Sequence, residues 1–171
     1  MALNTDFKTE ANHDLRPTQV VSTITSLNGQ LQQLDTTWGI KPNWAKKLLI
    51  NAQAESVAEK PTFRRAFAEH RCVVPCSGWY EWSDKEGKGK QKYLFNFHNK
   101  EPIYMAGIWY TPATEAFPKL VTLTTTPFGS CRPYHQRMPL LITESSVSDW
   151  VMRPVNEVLD LLMTSVEPNR V

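Results

Sequence analysis

An α+β fold dominated by antiparallel strands is predicted by three features of the sequence. Apolar and polar residues alternate with period two in several short runs, the spacing of a half-buried strand. Asn28-Gly29 interrupts one such run with the dipeptide best suited to a two-residue hairpin turn. Helical spacing occurs only in short stretches, and 12 prolines against 7 glycines divide the chain into many short elements joined by firm turns.

Residues 20–34 read as two β-rich runs hinged at Asn28-Gly29. Thr36-Thr37-Trp38-Gly39 carries a third strand, after which Lys41-Pro42-Asn43-Trp44 breaks the pattern and places Trp44 in a loop. Phe63, Ala66, Phe67 and His70 recur at helical spacing, and Thr62 is a suitable N-cap, so a short amphipathic helix is predicted over 62–70. A strand running from Cys72 to Trp82 follows. The polar stretch from Ser83 to Gln91, with Lys85, Lys88 and Lys90, then lies between two β-patterned runs as a hairpin tip would. Tyr93, Phe95 and Phe97 alternate with Leu94, Asn96 and His98, and further strands are read at 103–110 and 120–126. The C-terminal part turns helical at 145–152, then places Val155, Val158, Leu159 and Leu162 on one face after Pro154. With no repeat or linker, residues 1–171 are expected to form a single domain whose core takes Trp38, Trp79, Trp109 and Trp150.

Composition narrows the function classes. A length of 171 residues allows a sizeable core. No apolar run approaches a membrane span and the start lacks the regions of a signal peptide, so a cytoplasmic protein without a membrane partner is expected. Cys72, Cys76 and Cys131 match no zinc spacing, and buried free thiols are expected of them. A net charge of +2 does not by itself indicate a polyanion partner. No phosphate loop, dinucleotide fingerprint, zinc helix or serine elbow occurs, and nothing calls for a metal or cofactor.

Three segments carry candidate chemistry. In Cys72-Val73-Val74-Pro75-Cys76-Ser77-Gly78-Trp79-Tyr80-Glu81-Trp82 one carboxylate sits among three aromatics. Removal from water favours its protonated form and suits Glu81 to proton transfer near neutral pH; a sheet-edge Glu paired with a Lys or Arg reads equally well. Asn51-Ala52-Gln53-Ala54-Glu55-Ser56 follows an apolar run and projects Asn51, Gln53 and Glu55 from one face if extended, as a lined cleft or an exposed strand face would. Tyr134-His135-Gln136-Arg137-Met138-Pro139 offers a proton-transfer group and, two residues on, a guanidinium able to fork onto a phosphate or carboxylate. Trp44 and Trp82 are exposed aromatic candidates, and the set as a whole fits acid-base chemistry beside a stacked, phosphate-bearing ligand.

Taken together and in this order, these three segments and the Phe63 to Phe67 helix resemble the SRAP family, the SOS-response-associated abasic-site processing proteins. The resemblance covers most of the chain, from about Asp14-Leu15-Arg16-Pro17 onward, and implies a barrel-like fold with short flanking helices. It implies a monomer that binds single-stranded DNA and captures an abasic site through the amine and thiol of a cysteine after the initiator Met. By the same resemblance Asn51 orients the nucleophile or sugar, Glu81 shuttles protons, and His135 assists Schiff-base formation, resolution or strand cleavage. Pro17, Trp44, Gln53, Trp82, Thr124 and Arg137 fall on the implied DNA path, with Arg137 on a phosphate. A bacterial member would be associated with the nucleoid.

The sequence departs from the family pattern in three places. Members begin Met-Cys-Gly-Arg, whereas this sequence begins Met1-Ala2-Leu3-Asn4, and Gln53 replaces the usual Arg. Segments at both ends are expected to be missing relative to the family. Thiazolidine formation needs an amine and a thiol on one residue, so the crosslink is not expected of this sequence, while an Ala2 amine would support a Schiff base and β-elimination. A non-catalytic single-stranded DNA-binding module and a peptidase-like hydrolase using Glu81 and His135 are the alternatives.

Overall fold

The computed structural model describes residues 3, 5–84, 86–114, 116–164 and 166, and the backbone of 169–170. Strands β1 (Val20–Leu27) and β2 (Gln30–Trp38) form the predicted hairpin, with Leu27 opposite Gln30. Asn28 and Gly29 both take positive φ, 53° and 74°, the twist that two right-handed strands need at a two-residue turn. Pairing continues without interruption to Val20 opposite Thr37, so the strand expected separately at Thr36 is the end of β2. Asp35, the one residue between Leu34 and Thr36, stays in the ladder opposite Ser22 and does not break it.

The chain continues through β3 (Asn51–Gln53), a 3-10 turn at Ala54–Ser56, helix α1 (Arg64–Glu69), β4 (Arg71–Cys76), β5 (Trp79–Ser83) and β6 (Gln91–Asn96). It then forms β7 (Ile103–Tyr110), β8 (Lys119–Thr125), β9 (Met138–Pro139), β10 (Leu141–Ile142), α2 (Val147–Met152) and β11 (Asn169–Arg170). Strands β1, β2, β8, β7 and β4 close into a ring, each paired with the next and β4 returning to β1. Only the β2–β8 contact in this ring is parallel, and β3 also runs parallel to β8 beyond it. Strands β11, β6 and β5 make a separate small sheet.

Period-two alternation gives the ring two faces. Val21, Cys72, Val74 and Leu120 cluster on one, beside buried Thr23, Thr25 and Thr36. Those hydroxyls donate to the carbonyls of Leu34, Arg71 and Val21, so a closely packed interior holds polar side chains with every donor used. Ile24, Val73, Ala106, Ile108, Val121 and Leu123 face the other way and are covered by Phe67 of α1 and Trp150 of α2.

Both helices are six residues long, and neither has a side-chain N-cap. Thr62 does not cap α1 as expected: Phe63 occupies that position, and the Thr62 carbonyl accepts from the Tyr110 hydroxyl. The helices are instead held at their C-terminal ends by Arg71, only 5% exposed. Its Nε donates to Trp150 O at 2.6 Å, Nη1 to Phe67 O at 2.7 Å and Ala68 O at 3.1 Å, and Nη2 to Arg153 O. One buried cation thereby satisfies the carbonyls that end both helices.

Two further expectations are corrected. The strand read from Cys72 to Trp82 breaks at Ser77-Gly78, because Gly78 passes so close to the next strand that a Cβ there would lie 2.5 Å from Phe95 O. The C-terminal apolar residues lie on 3-10 turns at Val155–Glu157 and Leu159–Met163, whose spacing buries Val158 and Leu162 and leaves Leu159 exposed. Among the described residues no helix is long and apolar enough to cross a membrane.

Candidate functional site

Alternation along β5 decides what faces the site. Trp79, Glu81 and Ser83 point inward, whereas Tyr80 and Trp82 point outward, with Trp82 57% exposed. Glu81 lies opposite Tyr93 of β6, and its side chain is 19% exposed. Burial raises its pKa above the ordinary carboxylate value, with His135 and the Trp79 indole opposing.

His135 reaches Glu81 from the loop before β9. Tyr134 anchors that loop, its ring packed edge-on against Tyr93 at 4.7 Å and Phe95 at 5.3 Å. His135 Nδ1 lies 3.8 Å from Glu81 Oε2. The same nitrogen lies 3.1 Å from the backbone N–H of Arg137 and 3.0 Å from its carbonyl oxygen. Unprotonated, Nδ1 accepts from that N–H; protonated, it donates to that oxygen. The His-x-Arg spacing therefore supports either state of the ring without moving the main chain.

The Arg137 side chain turns to the opposite wall. Nη1 and Nη2 fork onto Glu55 at 3.1 and 2.7 Å, Nη2 also donates to Thr124 O at 2.7 Å, and Nε to Thr124 Oγ1 at 3.3 Å. The guanidinium holds the Glu55 carboxyl below the usual range, with Thr126 adding a hydrogen bond. Every guanidinium nitrogen is thus engaged within the chain, so a phosphate forked onto Arg137 would have to exchange with Glu55.

Asn51 and Gln53 alternate as the sequence predicts, both exposed, with Ala52 buried between them. Parallel pairing sets Asn51 against Thr122 and Gln53 against Thr124. Thr122 Oγ1 donates to Asn51 Oδ1 at 2.6 Å, which turns the amide nitrogen away from β8. Thr122 and Thr124 share a face of β8 about 7 Å apart. Asn51, Thr122, Thr124, Arg137, His135 and Glu81 therefore form one continuous band.

Other expected site residues stand outside this band. Trp44, 69% exposed, lines a cleft of about 460 Å³ with Ile40, Leu48, Thr62 and Tyr110, beside Lys119 at the opposite end of β8 from Thr124. Trp82 lies on the face of β5 turned away from Glu81, next to Tyr80, where Lys92 Nζ sits 4.0 Å from the Tyr80 ring centroid and 5.9 Å from that of Trp82. Asp14 accepts from Lys92 at 2.8 Å and from Arg16, and the two cations lower its pKa to about 2. That contact brings the exposed turn at Pro17, where Gln19 N donates to Arg16 O, to the same side as Tyr80. Sequence reasoning assigns no role to Thr122 or Lys92, and names Tyr134 only as the start of the His135 segment. Thr122 was accessible from alternation, lying two residues before Thr124.

Cys72 and Cys131 are buried and Cys76 half-buried, all as free thiols. Burial pushes the Cys72 thiol up and that of Cys76 up to about 12, so neither is an activated nucleophile. The Ala2 amine lies outside the described residues.

Residues 2–170 match the profile of the SOS response associated peptidase (SRAP) family. The abasic site processing protein YoqW of Bacillus subtilis is 30% identical over 167 residues, covering 92% of this chain and 73% of that protein. The abasic site processing protein YedK of Escherichia coli is 31% identical over 123 residues, covering 70% of this chain and 54% of that protein. A solved protein from Bordetella bronchiseptica shares the fold with a TM-score of 0.80 at 24% identity, over 96% of this chain and 89% of its own.

Proposed function

The chain belongs to the SRAP family, and on that premise we propose that residues 1–171 act as one domain that processes abasic sites in single-stranded DNA, in the compartment that holds the DNA. The observation that carries the proposal is the Glu81–His135 contact at 3.8 Å. An abasic sugar opens to an aldehyde. Adding an amine to it requires a proton delivered to the carbonyl oxygen, a proton removed from nitrogen, and loss of that oxygen as water. Glu81, kept protonated to higher pH by burial, supplies the first, and His135 exchanges protons with it. Asn51, its amide nitrogen turned from β8, orients the sugar or the attacking amine.

The test is incubation with single-stranded DNA carrying one abasic site, followed by denaturing gel and intact-mass analysis. Strand cleavage, or an adduct trapped by borohydride, is the expected result. Binding that leaves the abasic strand intact would favour a second reading, a binding module, consistent with described cysteines that are buried or half-buried. In the same samples Arg137→Ala is expected to weaken DNA binding and to reduce the slope of log K against log salt by about 0.7 for each phosphate the protein no longer neutralises. Equal affinity at several salt concentrations would remove Arg137 from the DNA path.

A further inference from the structure

Trp79 precedes Glu81 by two residues on β5 and shares its inward face. It is 8% exposed, and its ring is stacked on Phe95 with centroids 5.4 Å apart and planes inclined by 19°. Stacking fixes the ring and therefore the direction of its one polar bond. Yet Nε1 is buried and makes no hydrogen bond of full geometry among the described residues, although its polarity is already felt at the Glu81 carboxyl. Buried indole N–H groups ordinarily find an acceptor, because water has been removed and nothing has replaced it.

The acceptor this donor acts on is the Glu81 carboxyl, two residues along the same face of β5. We propose that Trp79 is a positioning residue for Glu81, its Nε1–H being the donor onto which the carboxylate closes when Glu81 releases its proton. The inference deepens the proposed function and rests on its assignment of proton transfer to Glu81. It accounts for a donor short of a full hydrogen bond beside a carboxyl that spends part of its cycle neutral: the bond is weak while Glu81 is protonated and becomes charge-assisted when it is not. Among the described residues, the titratable groups beside Glu81 include His135 at 3.8 Å and Tyr93 directly opposite on β6, with Tyr134 packed on Tyr93, while Arg137 is turned to Glu55. Of these, His135 draws the carboxyl toward ionisation, as Trp79 does, against the effect of burial.

The experiment follows the Glu81 side-chain carboxyl carbon by ¹³C NMR against pH in DNA-free protein, with the signal assigned through Glu81→Gln. Trp79→Phe keeps a ring on Phe95 and removes the donor. It is expected to move the Glu81 midpoint to higher pH, by about tenfold in proton affinity. An unmoved midpoint overturns the proposal. A measurement on the unmodified chain guards against a variant that does not fold: the Trp79 indole ¹H–¹⁵N resonance should shift with the same midpoint as Glu81, and a resonance flat through that titration also overturns it. Without DNA, these results do not depend on what the site processes. Failure of the proton-transfer assignment would show separately, as full abasic-site processing by Glu81→Gln.

Discussion

Replacing Glu81 with Gln is expected to slow abasic-site processing by about 10²–10⁴-fold, the range for loss of a positioned acid or base. The same substitution is expected to stabilise the protein at neutral pH by about 1 kcal/mol, as replacing a functional group kept at a cost to stability commonly does. Both effects have one origin. Burial raises the pKa of Glu81 in the folded chain above its unfolded value, so folding favours the protonated form. The associated stability is fully present below the unfolded value, about 4.3, and is lost as pH rises through the folded one. Gln resembles the neutral acid at every pH, so its advantage should be absent near pH ~4 and present near pH ~8. Urea unfolding of both proteins at the two pH values, with the abasic-strand assay run alongside, measures this. A stability difference independent of pH would mean that Glu81 is not held against ionisation, and undiminished processing would remove it from the chemistry.

Arg71→Ala is expected to cost about 3–5 kcal/mol, because four helix-terminal carbonyls lose a buried charged donor at once. For a chain of this size that is a fall in Tm of roughly 10 °C. Trp150 O, Phe67 O, Ala68 O and Arg153 O lie at the C-terminal ends of two six-residue helices, and the Arg71 guanidinium joins them. Arg71→Lys should recover little, since one ammonium cannot span carbonyls arranged around a planar fork. Thermal melts followed by circular dichroism give the answer, and a loss under about 3 °C for the Ala variant would show that water or backbone rearrangement replaces the clamp.

Local chemistry was readable where it acts locally. Asn28-Gly29 named its turn because both residues tolerate positive φ, and the hairpin from Ser83 to Gln91 showed as a polar interval between alternating runs. The alternation that set Glu81 inward also set Trp82 outward, so their separation onto two faces was already implicit in period two. Contacts that depend on distant segments were not readable. Gly78 breaks its strand because Phe95 O occupies the space, and Thr62 loses the cap position because its carbonyl is drawn to Tyr110. The parallel pairings of β8 leave no mark on any short window. The site divides in the same way: Glu81, His135, Asn51 and Arg137 stood out by residue type and order, whereas the fork of Arg137 onto Glu55 required the folded chain.

The ring of strands is joined unevenly. β1 and β2 meet along eight residue pairs across a two-residue turn, whereas two joins have only two pairs each: β1 with β4, antiparallel and reinforced by the buried Thr25 hydroxyl on Arg71 O, and β2 with β8, parallel, Thr37 with Lys119 and Trp38 with Leu120, which is the weaker. Bringing those partners together closes a loop of roughly 80 residues, so the entropy lost is large and the pairing returns it late. The barrel thus has a seam, last to zip and first to part. Just past it on the same edge of β8, β3 holds Asn51 against Thr122. Parting of the seam would loosen this wall of the site while the Glu81 side stays anchored by its aromatic cluster. In native-state hydrogen exchange the amides of Thr37 and Gly39, which bond across the seam to Pro118 O and Leu120 O, should be the first of the barrel to open.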